Sequence, residues 1–326
     1  MQYSEYLKLD AVLASQQPES NRRGSPAHDE MLFIVIHQAY ELWFRQILYE
    51  ITSIRQVLHS PSINDNTPEL QTVVHRLSRI VTILKVLVHQ IDIMETMTPM
   101  DFLDFRDMLT PASGFQSWQF KLIEASLGLK FVNRHQLDHY TSQLNPEHIG
   151  IMKSAENEPS VIDLVNTWLE RIPFSDEERQ WQEYQEAYKA DLTEAEKVNM
   201  TYFDQFFNEP QEGNALSAKA RRAAVFILAY RGYPILHLPF TLLNNLLEID
   251  EQLSSWRYRH MNMVHRMIGT RVGTGGSSGR DYLKGAADKH YIFSEIARLN
   301  IFLVERKRLP ALSAEMERKL GFAHIK

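Results

Sequence analysis

An all-α fold, a bundle of long antiparallel helices, follows from three features of the sequence. Apolar residues recur at steps of three and four along most of the chain, no convincing stretch alternates with period two, and helix breakers are few, with 13 Gly and 13 Pro in 326 residues. Residues 28–59 place Phe33, Ile36, Tyr40, Trp43, Ile47, Ile51, Ile54 and Leu58 on one face of a long helix. Residues 60–66 read as a loop, and a second long helix follows with Val73, Leu77, Ile80, Leu84, Leu87 and Ile91 in one seam. Thr98-Pro99 opens a short third helix that ends near Thr110-Pro111. The run Ser175-Asp176-Glu177-Glu178 has the form of a capping box and predicts a charged helix to about residue 207. Arg221–Tyr230 reads as a compact apolar helix, and residues 242–268 as another long one with Leu246, Ile249, Leu253, Trp256, Val264 and Met267 inward. The segment 145–213 is richer in charge and reads as a small helical insertion on a single large domain.

Composition narrows the chemistry. Apolar residues are 44% and charged residues 23%, a globular balance, and the net charge of −6 argues against a dedicated nucleic-acid binder. No apolar stretch is long enough to span a bilayer and no signal peptide opens the chain, so a cytoplasmic setting is the expectation. There are no cysteines against 13 histidines. Thiolate metal sites, disulfides, thiol nucleophiles and covalent c-type haem are thereby excluded, and a transition metal would sit on His, carboxylate or phenolate.

Three polar residues interrupt apolar helical faces. His37 shares its face with Phe33 and Tyr40, Arg106 follows Phe102 by four, and His260 follows Trp256 by four. A lone inward histidine is ordinarily a core imidazole satisfied by a backbone carbonyl. Arg106 reads either as a structural partner of Asp101 or Asp104 or as a forked clamp for a carboxylate-bearing ligand, and spacing does not separate the two. His135 and His139 share a helical face that looks solvated, while His75, His89 and His265 read as surface or core-edge residues. The Gly273-Thr274-Gly275-Gly276-Ser277-Ser278-Gly279 loop, in a glycine-poor chain, suits a hinge or a close approach to a ligand, but it is neither a phosphate loop nor a dinucleotide fingerprint.

Taken together, several motifs resemble the tryptophan 2,3-dioxygenase family. They are His28-Asp29-Glu30-Met31-Leu32-Phe33-Ile34 running into His37-Gln38-Ala39-Tyr40-Glu41-Leu42-Trp43-Phe44, then Asp101-Phe102-Leu103-Asp104-Phe105-Arg106 with Pro111-Ala112-Ser113-Gly114-Phe115-Gln116-Ser117. Trp256-Arg257-Tyr258-Arg259-His260, Met263-Val264-His265-Arg266-Met267 and the Gly273–Gly279 loop follow in the family's order, and Tyr3-Ser4-Glu5-Tyr6-Leu7 fits at the start. The resemblance spans nearly the whole chain and is weakest over about 130–215.

The resemblance implies a homotetrameric enzyme with noncovalent haem b in a pocket within the bundle. It would insert both atoms of O₂ across the indole C2–C3 bond of L-tryptophan to give N-formylkynurenine. It assigns His260 as proximal iron ligand, His37 as acceptor of the indole N–H, Arg106 as carboxylate clamp and Thr274 as holder of the ammonium. Phe33, Phe102 and Tyr6 would line the indole slot, with Ser113 and Gly114 near the haem edge. Residues 1–27 would form an arm that carries Tyr3, Tyr6 and Leu7 into a neighbouring subunit's pocket, leaving 28–326 as the catalytic domain. Phe102 and Tyr40 depart from some bacterial members but match animal-type ones, which removes one phenolic hydroxyl near the substrate carboxylate. The competing expectations are a haem monooxygenase of tryptophan or a substituted indole, a non-catalytic haem sensor, and a helical protein without cofactor.

Overall fold

The computed structural model describes residues 1–61, 63, 67–130, 134, 144–172, 177–209, 213–269, 271, 283–285 and 289–321. Among these the chain is all-α, as the periodicity predicts, with no strand. Three short helices, α1 (Tyr3–Leu7), α2 (Leu9–Leu13) and α3 (Glu19–Arg22), precede the long α4 (Glu30–Leu58) and α5 (Pro68–Met94). Then come α6 (Pro99–Arg106), α7 (Trp118–Leu127), α8 (Pro146–Glu156), α9 (Val161–Leu169), α10 (Glu178–Asp191), α11 (Asn199–Asn208) and α12 (Ala218–Ala229). The longest helix, α13 (His237–Ile268), is followed by α14 (Ser294–Arg298) and α15 (Ala314–Leu320).

Polar bonds fix the register of the three long helices. Tyr40 Oη donates to the Leu87 carbonyl at 2.9 Å and Arg79 reaches Glu50 at 2.7 Å, so α4 and α5 run antiparallel. Asn245 Nδ2 donates to Ser78 Oγ at 2.9 Å, and Arg259 donates to the Val88 carbonyl at 3.2 Å and to Asp92 at 2.5 Å. Those pairs ascend together, so α13 lies parallel to α5. Three helices in mutual contact cannot all be antiparallel, and the long crossover through α6–α12 supplies the one parallel pair.

The inward seams follow the 3.6-residue repeat. Every residue of the α5 seam is buried, as are Ile47, Ile51, Ile54 and Leu58 of α4. Trp43 turns outward and Phe44, one position on, takes its place in the core. The charged helix expected to run to about residue 207 is divided: α10 stops at Asp191, and Thr193 starts a new turn by pairing with Glu196 at 2.5 Å. Ser175 and Asp176, half of the expected capping box, lie outside the described residues. Segment 145–213 is helical and closely integrated. Trp168 of α9, Tyr184 and Tyr188 of α10 and Phe203, Phe206 and Phe207 of α11 share one apolar core with α4, α5 and α13.

Gly128 ends α7 at φ +134°, and a Cβ there would collide with Ile162 of α9. Gly128→Ala therefore combines a disfavoured backbone with overpacking. It should cost about 2–4 kcal/mol, read as a lowered denaturant midpoint at unchanged m-value.

Candidate active site

A cavity of about 330 Å³ lies between α4, α6, α7 and α13. From α4 it takes Phe33, His37, Tyr40, Glu41 and Phe44, successive positions on one helical face. His37 Nδ1 donates to the Phe33 carbonyl at 2.7 Å. A carbonyl only accepts, so Nδ1 carries the proton and Nε2 of the neutral ring is left as an acceptor. Burial lowers the His37 pKa, with the Phe33 carbonyl and the Glu41 carboxylate opposing, which favours the neutral form. The ring's exposed face is the cavity wall. The Phe33 ring packs on His37 at 4.1 Å between centroids and on Phe102 at 5.9 Å.

Thr98 caps α6, accepting from the Asp101 N–H at 3.3 Å, and Asp101 returns bonds to the Thr98 N–H and hydroxyl at 2.9 and 2.6 Å. Asp101 is thus committed to the first turn. Arg106, in the last, stands on the cavity wall with Phe102. Ser113 and Gly114 border the same space, and Gln119 of α7 ties this side to α4 by donating to Glu41 at 2.8 Å.

The opposite wall is α13, with Trp256, Arg257, His260, Met263, Val264 and Met267. The His260 ring stacks at a tilt on Trp256, 5.1 Å between centroids. Its Nδ1 is buried with no hydrogen-bond partner among the described residues, so His260 is not the carbonyl-satisfied core imidazole that spacing alone allows. Burial, with His37 adding to it, pushes its pKa down to about 4. Arg259, on the far side of the same turn, latches α13 to Asp92 and Glu95, at 2.5 and 3.3 Å. Among the described residues no three His, Asp or Glu converge on a metal site.

The remaining wall is charged. Glu124 of α7 is fully buried and accepts from Arg134 and from Arg257, each at 2.6 Å, with His290 Nδ1 at 3.4 Å. Burial works against its ionisation, but the two guanidinium groups and His290 outweigh it and hold the carboxyl well below the usual range. Lys121, one turn earlier on α7, is also buried.

Seven of the residues expected from the sequence thus share one cavity: Phe33, His37, Phe102, Arg106, Ser113, Gly114 and His260. Tyr3, Tyr6 and Leu7 do not reach it within one chain; they lie in α1, 75%, 70% and 40% exposed. Thr274 and the rest of the glycine-rich loop, and His135 and His139, lie outside the described residues. His75, His89 and His265 are exposed, as expected. Sequence reading passed over Lys121, Glu124 and His290, and Arg134, read with His135 and His139 as part of a solvated face, is instead buried against Glu124. The i, i+3 pair Lys121 and Glu124 inside the apolar run 120–127 was the available signal.

A family model described as Tryptophan 2,3-dioxygenase matches residues 1–212 and 185–303. A tryptophan 2,3-dioxygenase of Bdellovibrio bacteriovorus is 42% identical over 98% of both chains. Proteins of the same name from Dictyostelium discoideum and Xenopus laevis are 42% and 40% identical over 98% of this chain and 88% and 86% of their own lengths.

Proposed function

The chain belongs to the tryptophan 2,3-dioxygenase family, and on that premise we propose that it oxidises L-tryptophan with O₂ to N-formylkynurenine at a haem b held in this cavity. The observation that carries the reading is the convergence of His260, His37 and Arg106 on one largely apolar space. A porphyrin brings four nitrogen donors, which suits an imidazole such as His260 that has no cluster of three metal-binding side chains beside it among the described residues. His260, neutral and fixed on the longest helix, is the residue that would hold the iron. When bound, ferrous haem supplies the redox partner that lets triplet O₂ react with a closed-shell indole.

The protein's own part is orientation and exclusion of water. Phe33 and Phe102 form the aromatic slot for the indole, and His37 Nε2 accepts its N–H. Because Nδ1 holds its proton on the Phe33 carbonyl, His37 serves as an acceptor that orients the ring, and an indole N–H is too weak an acid to need more. Arg106 takes the substrate carboxylate through its planar fork, and Thr274 the ammonium. One ion pair and two hydrogen bonds fix the indole in three dimensions, and a misplacement of about 1 Å costs roughly a hundredfold in rate. The arm of residues 1–27 belongs to the neighbouring protomer's pocket in a homotetramer, a role that suits the exposure of Tyr3, Tyr6 and Leu7. No helix among the described residues is long and apolar enough to cross a membrane.

The test is anaerobic reduction of the purified protein, then tryptophan and ¹⁸O₂, followed by optical and mass detection. A product carrying two labelled atoms is expected. One labelled atom would assign a monooxygenase, and a colourless protein without Soret absorption would remove the haem reading altogether.

A further inference from the structure

Apolar burial anchors α13 only as far as Leu253; among the described residues, Arg257 is the one buried residue of this helix beyond it. Trp256, Met263, Val264 and Met267 are partly buried and border the cavity, so they lack the close packing on all sides that fixes a core helix. His260 lies in this stretch, about two helical turns past Leu253.

Polar bonds take over where apolar packing ends. Arg257 donates to Glu124 at 2.6 Å and to the His290 carbonyl at 3.2 Å. Glu124, 3% exposed on α7, also accepts from Arg134 at 2.6 Å. Residues 290–293 run beside the same turns of α13: the Tyr291 and Ser254 hydroxyls share a bond at 3.1 Å, and Asp250 accepts from the Ile292 and Phe293 N–H groups at 3.0 and 2.6 Å. Arg259 latches the other side to Asp92, but that pair is 30% and 58% exposed, and exposed pairs hold weakly. The Glu124–Arg257 pair is buried at both ends. Such a pair adds little net stability over apolar packing, yet breaking it strands a buried charge, so it resists displacement.

We propose that Glu124 is a positioning residue: through Arg257 it sets where the His260 turn stands, and so the height and tilt of the imidazole that would hold the iron. The inference rests on the haem reading and adds to it the group that fixes the axial ligand from outside. Arg257 and His260 are three residues apart on one helical face, so a shift of the first is carried to the second.

The test is resonance Raman of the haem-loaded, ferrous full chain, in which the iron–imidazole stretch reports the tilt and strain of the ligand. Glu124→Gln keeps the shape and removes the charge. It should shift or split that band and weaken haem uptake by the haem-free protein about tenfold. Glu124→Asp, which keeps the charge, should recover part of both. Glu50→Gln is the control, for Glu50 is also buried and paired with two arginines, Arg79 at 2.7 Å and Arg76 at 3.9 Å, but does not border the cavity. It should lower the denaturant midpoint and leave the band and haem affinity at wild-type values. A wild-type band and affinity in Glu124→Gln overturn the proposal and leave the haem reading intact, and so does an equal shift in Glu50→Gln. If circular dichroism shows that the Glu124 variants do not fold, hydrogen exchange of haem-free wild type decides. Amides of residues 254–260 should then be as protected as those of 242–253, and rapid exchange there overturns the proposal. A wild type that takes up no haem defeats the haem reading, and the proposal with it.

Discussion

A His260→Ala variant is expected to lose haem during purification, with Soret absorbance falling to a small fraction of the wild-type ratio. Groups that merely orient a metal ligand are commonly worth about 10–100-fold in affinity, so deleting the ligand itself should exceed the upper figure, about 2.7 kcal/mol. The substitution removes an imidazole that borders the cavity and whose Nδ1 has no hydrogen-bond partner among the described residues, so few protein contacts depend on it. Thermal unfolding of the haem-free variant should therefore lie close to that of haem-free wild type. Added imidazole should restore part of the Soret band by occupying the space left behind. A variant that retains haem with an unchanged spectrum would defeat the assignment of His260.

An Arg106→Leu variant is expected to keep a wild-type haem spectrum and to bind tryptophan far more weakly. Removing one partner of a desolvated charge pair typically costs about 2–5 kcal/mol, roughly 30-fold to more than a thousandfold. Arg106→Lys should recover only part of this, since a point charge replaces a fork. Tryptamine, which lacks the carboxylate, supplies the control: wild type should prefer tryptophan strongly, and Arg106→Leu should nearly erase the preference. Spectral titration with both compounds measures the effect. Unaltered tryptophan affinity in Arg106→Leu would return Arg106 to a structural role.

The long helices were legible because burial imposes a period and nothing else in the chain competes with it. The seams of α5 and α13 read directly from apolar spacing, and His37 and His260 stood out as polar residues within such seams. Trp43 was misplaced because Trp43 and Phe44 are adjacent and period alone cannot rank two aromatic neighbours. The break after Asp191 depended on one local bond, Thr193 to Glu196, inside a segment whose composition favours helix throughout. The direction of α13 relative to α5 is a property of the crossover, invisible to any local pattern. The Glu124 cluster was missed for a related reason: its members come from α7, from residue 134, from α13 and from residue 290, and only the tertiary fold makes them neighbours. What told His260 apart from an ordinary core histidine was an Nδ1 without a hydrogen-bond partner among the described residues, and that leaves no trace in sequence spacing.

The parallel placement of α13 beside α5 also bears on how the protein is made. The wall carrying His37 is complete once α4 and α5 have left the ribosome, while the wall carrying His260 comes only with α13, after the whole crossover has been synthesised. At about 5–20 residues per second, that interval is on the order of tens of seconds. During it the α4–α5 hairpin holds an apolar face, including the Leu77–Leu87 seam, whose permanent cover does not yet exist. Both histidines can therefore face each other only once α13 has been made, and on the haem reading any capture of the cofactor between them waits for that helix.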